Sequence, residues 1–130
     1  MNLESPKVTV EKSAAYLYTQ LSDVKNYETL MPENIAKFEV LGEDIFNFGL
    51  KGMPEIKLRL KEGIPHTRIN LAAASDKLPF TLVAQLESLS ENTCAIKMDF
   101  EGEFNPMMAM MIKGPITKFL ETLVSNMHKL

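Results

Sequence analysis

The chain has 130 residues, of which 45% are apolar and 24% are charged, and this balance indicates a single globular domain over residues 1–130 with its own core. The formal net charge of −3 argues against nucleic acid as a partner, because binding to phosphates requires clustered Lys and Arg side chains. The single cysteine excludes an internal disulfide, and no apolar run is long enough to span a membrane, so we expect a cytoplasmic protein.

The N-terminal part predicts one strand and two short helices. Alternating valines indicate a strand over residues 7–12. Ser13 is placed to cap a helix over residues 14–23, in which apolar side chains recur at helical spacing. Asp23 is placed to cap a second helical segment. That segment is expected to end before Pro32, because the α conformation is disfavoured for the residue that precedes a proline.

Six further strands are predicted between residues 34 and 104, where apolar side chains recur at every second position. Turns and breaks separate them, including Met53–Pro54 and Asp76–Pro79. The apolar positions are, strand by strand, Ala36, Phe38 and Val40; Phe46, Phe48 and Leu50; Ile56, Leu58 and Leu60; Ile69, Leu71 and Ala73; Phe80, Leu82, Ala84 and Leu86; and Cys94, Ile96, Met98, Phe100 and Phe104. Because the connections are short, we expect an antiparallel meander with one apolar face.

A long C-terminal helix is predicted over residues 106–130, with Asn105 as its N-cap. Its apolar stripe comprises Met108, Met111, Ile112, Ile116, Phe119, Leu120, Leu123, Met127 and Leu130. An apolar sheet face must be covered, and this helix is the only remaining element that is large enough. We therefore expect it to lie across the concave side of the sheet.

Four of the nine methionines lie within residues 107–111, shortly before Gly114 and Pro115. A proline inside a helix removes one hydrogen bond, so a kink or break is predicted near Gly114, which would leave residues 107–113 as a partly independent lid. Methionine side chains adapt to contacts of different shape, so this lid is a candidate gate for a cavity. The alternative is that the methionines fill an irregular core.

The order of one strand, two short helices, six strands and a long C-terminal helix resembles the helix-grip fold of the START-like, or SRPBCC, superfamily. This group includes birch-pollen-allergen-like proteins, lipid-transfer proteins and polyketide cyclases. The resemblance covers the whole chain and rests on element order. It implies an α+β fold in which a curved antiparallel seven-stranded sheet wraps around the C-terminal helix and encloses an apolar cavity.

Few residues are candidates for chemistry, and we expect no catalytic residue, metal or cofactor. His66 is predicted at a turn and His128 near a helix C-terminus, and neither has a nucleophile and an acid beside it in sequence. Cys94 falls on the apolar face of its strand, which is typical of a small buried side chain. The tyrosines of the two short helices, Tyr16, Tyr18 and Tyr27, are the polar groups expected near the mouth of the cavity.

These patterns together favour binding or transport of a small hydrophobic or amphipathic molecule. The residues expected to line its site are Phe38, Phe46, Phe48, Leu58, Leu71, Leu82, Leu86, Met98, Phe100, Met108, Met111, Ile112 and Phe119. Two alternatives stay open. A polyketide cyclase or dehydratase-like enzyme predicts polar side chains that converge in the cavity. A protein-interaction module predicts a filled core and an exposed apolar patch. The oligomeric state is also open, with a homodimer among the options.

Overall fold

Eight strands and three α-helices make up the part of the chain that the computed structural model describes, which is residues 1–51, 53, 55–74 and 79–130. In order they are β1 (Asn2–Glu4), β2 (Val8–Val10), α1 (Ala14–Leu21), α2 (Tyr27–Leu30, preceded by a 3₁₀ turn over Val24–Asn26), β3 (Ile35–Val40), β4 (Ile45–Leu50), β5 (Ile56–Ile64), β6 (Arg68–Ala73), β7 (Phe80–Ser90), β8 (Thr93–Gly102) and α3 (Pro106–Ser125, followed by a 3₁₀ turn over Met127–Lys129). The predicted α+β helix-grip order is confirmed. Of the predicted breaks at Met53–Pro54 and Asp76–Pro79, Pro54 and residues 76–78 lie outside the described residues.

The sheet is an antiparallel meander in which β3, β4, β5, β6, β7 and β8 follow one another in chain order. Strands β1 and β2 both pair with β8, so together they form the edge of the sheet beside the last strand in chain order. Strand β1 is an addition to the predicted set. Its three residues are too few for an alternating pattern to be recognised in the sequence.

Ser5 keeps the chain in register between β1 and β2. Its backbone N–H donates to the Met98 carbonyl at 2.8 Å, and its side-chain oxygen accepts from the Met98 N–H at 2.8 Å. Pro6 follows and has no N–H to donate. The hydrogen-bond ladder with β8 is therefore interrupted at Pro6. The edge of the sheet consists of β1 and β2, and the single strand predicted over residues 7–12 corresponds to β2.

Three helical N-termini carry the caps that the sequence predicts. The Ser13 side chain accepts from the N–H of the third residue beyond it at 3.0 Å, and Asp23 accepts from the Lys25 N–H at 3.1 Å. At the start of α3, Asn105 Oδ1 accepts from the Met108 N–H at 2.8 Å, and Pro106 occupies the first helical position. These caps fix where α1, the 3₁₀ turn and α3 begin.

Strand β3 departs from the predicted alternation. A register shift between Ile35 and Lys37 inserts one residue into its pairing with β4. As a result Ile35 and Phe38 are half-buried, while Ala36, which was expected to face the core, is exposed. Val40 was also expected to face the core and shares a face with Phe38, but it is exposed at the end of this edge strand. An irregularity of this kind turns the following side chains to the other face, and it cannot be read from apolar periodicity.

A kink or break was predicted near Gly114. Helix α3 runs continuously through Pro115, so the predicted break is wrong. The buried stripe continues on both sides of the proline, with Ile112 before it and Ile116 and Phe119 after it. Packing of this stripe compensates for the loss of the hydrogen bond that Pro115 cannot make. The methionine-rich segment is therefore the beginning of a continuous helix. None of the helices within the described residues combines the length and apolar character needed to cross a membrane.

Candidate functional site

Most of the predicted lining residues lie between the sheet and α3 and contact one another. Ten of the thirteen have at most 6% of their surface exposed: Phe46, Phe48, Leu58, Leu71, Leu82, Leu86, Met98, Phe100, Ile112 and Phe119. Phe38 and Met108 are half-buried and pack against this core. Met111 does not join them, because its side chain is 64% exposed. It precedes Ile112 by one residue, a rotation of about 100° around the helix axis.

Aromatic rings fill the space between one half of the sheet and α3. The Phe48 ring stacks on the Phe119 ring of α3 at a centroid distance of 4.9 Å, and Phe46 lies 6.1 Å from Phe48. The Tyr27 ring stacks on the Phe46 ring at a centroid distance of 5.0 Å. These side chains form a packed layer, so the interior at this end is occupied by the protein's own rings.

An open groove of about 770 Å³ lies outside this layer, between α3 and the end of β4. Its lining residues are Gly114, Pro115, Lys118, Phe119, Glu121 and Thr122 from α3, and Pro32, Asn34, Leu50, Lys51 and Met53 from the opposite side. Of the residues predicted for the site, Phe119 is the one that this groove contains. The Gly114–Pro115 pair was the sequence signal for this place, although it was interpreted there as a break in the helix.

The groove has an apolar floor and a charged rim. Leu50 and Phe119 are buried and form the floor, whereas Lys51, Lys118 and Glu121 are exposed at the rim. Sequence periodicity assigns Leu50 to the core, which is correct. It gives no sign that the space beside Leu50 is open, since that depends on how the loop after α2 approaches α3.

Two hydrogen bonds fix the walls of the groove, one on the side opposite α3 and one at α3 itself. The Lys51 N–H donates to the Asn34 carbonyl at 3.4 Å, which ties the end of β4 to the loop after α2. Asn126, at the C-terminus of α3, donates from Nδ2 to the Leu30 carbonyl at 3.0 Å and thereby ties α3 to α2. The groove is therefore held open by contacts between elements that are distant in sequence.

Tyr27, Asn47 and Ser5 have hydrogen-bond partners within the fold, whereas Oδ1 of the half-buried Asp99 on β8 has none among the described residues and lies away from the groove lining. The Tyr27 hydroxyl donates to the Leu21 carbonyl at 2.8 Å, and burial raises the pKa of this phenol. Asn47 donates to Glu55 at 3.2 Å, and Ser5 is bonded to the backbone of β8. Desolvation raises the pKa of the buried Cys94 thiol, which keeps it protonated. These groups stabilise the structure and do not converge on the groove.

The three tyrosines expected at the cavity mouth lie elsewhere. Tyr27 is inside the fold, Tyr16 is exposed, and the Tyr18 ring meets the His66 ring edge-on at 5.8 Å. None of them is among the residues that line the groove. Within the described residues, no group of three or more His, Cys, Asp or Glu side chains is arranged to hold a metal ion.

No protein-family model matches the chain, and no curated protein sequence matches it either. Solved structures do resemble it. Norcoclaurine synthase from Thalictrum flavum, in complex with dopamine and hydroxybenzaldehyde, is 16% identical over 99% of this chain and 84% of the other, with a TM-score of 0.77. A START superfamily protein from Mycobacterium smegmatis is 14% identical over 98% and 94%, with a TM-score of 0.70.

A third similar structure is the di-domain ARO/CYC BexL from the BE-7585A biosynthetic pathway. It is 15% identical over 97% of this chain, which spans 46% of BexL, with a TM-score of 0.67. At these identities the likeness concerns the fold. The chain thus has the START-like helix-grip fold that its order of elements predicts.

Proposed function

We propose that the protein binds a small hydrophobic or amphipathic molecule in the groove between α3 and the end of β4. The observation that carries this proposal is the groove itself, which combines a volume of about 770 Å³ with an apolar floor and a polar rim. Small-molecule sites have volumes of about 300–1,000 Å³ and the same division between apolar surface and a few polar groups. Leu50 and Phe119 would contact the apolar part of the ligand.

Phe119 also connects the groove to the predicted interior site. Its ring lies between the groove and Phe48, on which it stacks at 4.9 Å. Rotation of the Phe119 side chain would extend the groove towards Phe48 and Phe46, and so towards the lining that the sequence predicts. Apolar surface removed from water contributes about 25 cal/mol per Å², so a deeper ligand would gain affinity from this layer.

We favour binding over a cyclase-like reaction because of where the polar groups lie. General acid–base catalysis needs a side chain held within hydrogen-bond reach of the reacting atoms in a site that excludes water. Lys51, Lys118 and Glu121 are exposed at the rim, and the buried hydroxyl of Tyr27 is engaged by a backbone carbonyl. The rim is suited to orienting the polar end of an amphipathic ligand.

The proposal is tested by titrating the protein with the fluorescent dye 1-anilinonaphthalene-8-sulfonate, which combines an aromatic body with an anionic group. Asn34→Trp places a large side chain in the groove, and Asn92→Trp places the same side chain in the β7–β8 turn as the control. We expect saturable binding by the wild type and by Asn92→Trp, and a loss of about tenfold or more in affinity for Asn34→Trp. Equal binding by all three proteins would refute the groove as the site.

A further inference from the structure

Helix α3 has a second apolar stripe on its exposed side. Met107, Met110 and Met111 are 75%, 83% and 64% exposed, and Gly114 continues the row. The intervals of three, four and seven residues from Met107 place all four positions on one face of the helix. This face is opposite the one that Ile112, Ile116 and the residues after them bury in the core. We call the four positions the methionine stripe.

The methionine stripe has the properties of a contact surface. Single exposed apolar side chains are common on proteins, but a contiguous group of large ones marks an interaction site. Methionine adapts its shape to a partner at low cost. A Cβ added at Gly114 would meet no atom within 4 Å, so the helix backbone there is open to close approach by another chain.

We propose that a second copy of this chain docks on the methionine stripe, with the two α3 helices antiparallel about a two-fold axis between Met110 and Met111. A symmetric dimer requires a surface that complements itself. In this arrangement Met107 lies opposite the partner's Gly114, so that a methionine side chain meets bare backbone. Met110 and Met111 pack against each other across the axis.

The charges at the two ends of the methionine stripe match this register. Glu103 is exposed just before the N-terminus of α3, and Lys118 is exposed one turn beyond Gly114 on the same face. Each lies between seven and eight residues from the axis. For Lys118 this amounts to about 11 Å along the helix. Antiparallel packing therefore places Glu103 near the partner's Lys118 at both ends of the contact. A parallel arrangement would place like charges together.

The interface would also border the proposed ligand site. Gly114 belongs both to the methionine stripe and to the lining of the groove, so the partner's Met107 would close one end of the groove. The dimer itself requires no ligand, and its test is therefore independent of the proposed function. A membrane surface is a weaker candidate for the occupant, because the chain carries a net charge of −3 and Glu103 flanks the stripe.

Sedimentation velocity across micromolar to millimolar protein concentrations tests the proposal. The wild type should approach the mass of two chains as its concentration rises. Met110→Glu places a carboxylate at the centre of the contact and should weaken the dimer by about tenfold or more. Ile64→Glu, at an exposed position on β5, is the control and should dimerise like the wild type. Circular dichroism of each variant verifies folding.

Charge reversal tests the register. Glu103→Lys and Lys118→Glu should each weaken the dimer by a few-fold, and the double variant should restore it, because exposed ion pairs contribute about 1 kcal/mol or less. A wild-type monomer at millimolar concentration, an unaffected Met110→Glu dimer, or equal loss in Ile64→Glu would overturn the proposal. So would a double variant weaker than either single one, or a monomer whose stripe binds phosphatidylcholine vesicles instead.

Discussion

The buried hydroxyl of Tyr27 joins the two short helices, since it donates to the carbonyl of Leu21 at the end of α1. Tyr27→Phe removes this bond and leaves a buried carbonyl without its donor, so we expect a loss of about 1 kcal/mol in the free energy of unfolding. Urea denaturation measures the change. The ring still stacks on Phe46 at 5.0 Å, so binding in the groove should be retained.

The same variant provides a pH test. Burial raises the pKa of Tyr27 in the folded state, whereas in the unfolded state the phenol has a pKa of about 10. Above that pH the unfolded state binds fewer protons than the folded state, so this group's contribution to stability falls as pH rises. The stability difference between wild type and Tyr27→Phe should therefore shrink above about pH 10. A constant difference would contradict the burial of this hydroxyl.

Substitution of glycine by alanine should have opposite effects on stability at Gly102 and at Gly114. A Cβ at Gly102 would lie 2.7 Å from the Phe104 ring and 2.9 Å from the Phe80 Cβ, whereas a Cβ at Gly114 would meet no atom within 4 Å. Gly102→Ala should destabilise the protein by about 1–3 kcal/mol through overpacking. Gly114→Ala should stabilise it by up to about 1 kcal/mol, because alanine favours the helix. Chemical denaturation at low protein concentration measures both, and equal signs would contradict the packing at Gly102.

At the scale of elements, α3 contains a proline that costs it one hydrogen bond, and its packing against the core keeps it continuous. Pro115 is exposed, lacks an N–H for the Met111 carbonyl and lines the groove. Pro115→Ala should restore the helical hydrogen bond and raise the free energy of unfolding by about 1 kcal/mol or more. It should also weaken dye binding, because the groove loses part of an apolar wall. Equal dye binding by Pro115→Ala would show that the proline ring does not shape the groove. A lower free energy of unfolding would show that Pro115 is not a defect in α3.

The sequence predicted those elements whose determinants are local. The caps at Ser13, Asp23 and Asn105 and the alternation in β5, β7 and β8 depend on neighbouring residues, and the structure confirms them. The register shift in β3 and the uninterrupted course of α3 depend on contacts with other elements. Neither is encoded in apolar periodicity, so both predictions failed there.

For the candidate site, the sequence predicted Phe119 among the lining residues but missed Leu50 and the open space beside it. Phe48 and Phe119 were correctly assigned to the region between sheet and helix, where their rings pack together. The groove beside Phe119 arises because Asn34 and Lys51 hold one wall in place and Asn126 holds the other. Such long-range hydrogen bonds leave no periodic trace in the sequence. The exposure of Met111 was missed because this residue directly precedes Ile112 of the buried stripe.

At the scale of the whole molecule, both edges of the sheet are protected against further strand pairing. On β3, a register shift is accompanied by ion pairs from Lys37 to Glu39 and Glu55, each at 3.0 Å. The hydrogen bond that Lys37 donates to Glu55 raises the pKa of Lys37, which keeps this lysine charged. At the other edge Pro6 interrupts the pairing with β8. Irregular, charged edges disfavour sheet-to-sheet association, which leaves the methionine stripe as the surface through which we expect two copies to meet.

The pairing of Ser5 with Met98 has a consequence for folding, because 93 residues separate the two partners. Strands β1 and β2 both pair with β8, so during synthesis they stay unpaired until β8 has been made. Contacts between residues so far apart in sequence form late in folding, because closing a long loop costs entropy before the contacts that stabilise it are made. Substitutions in this segment should accelerate unfolding while leaving the refolding rate almost unchanged.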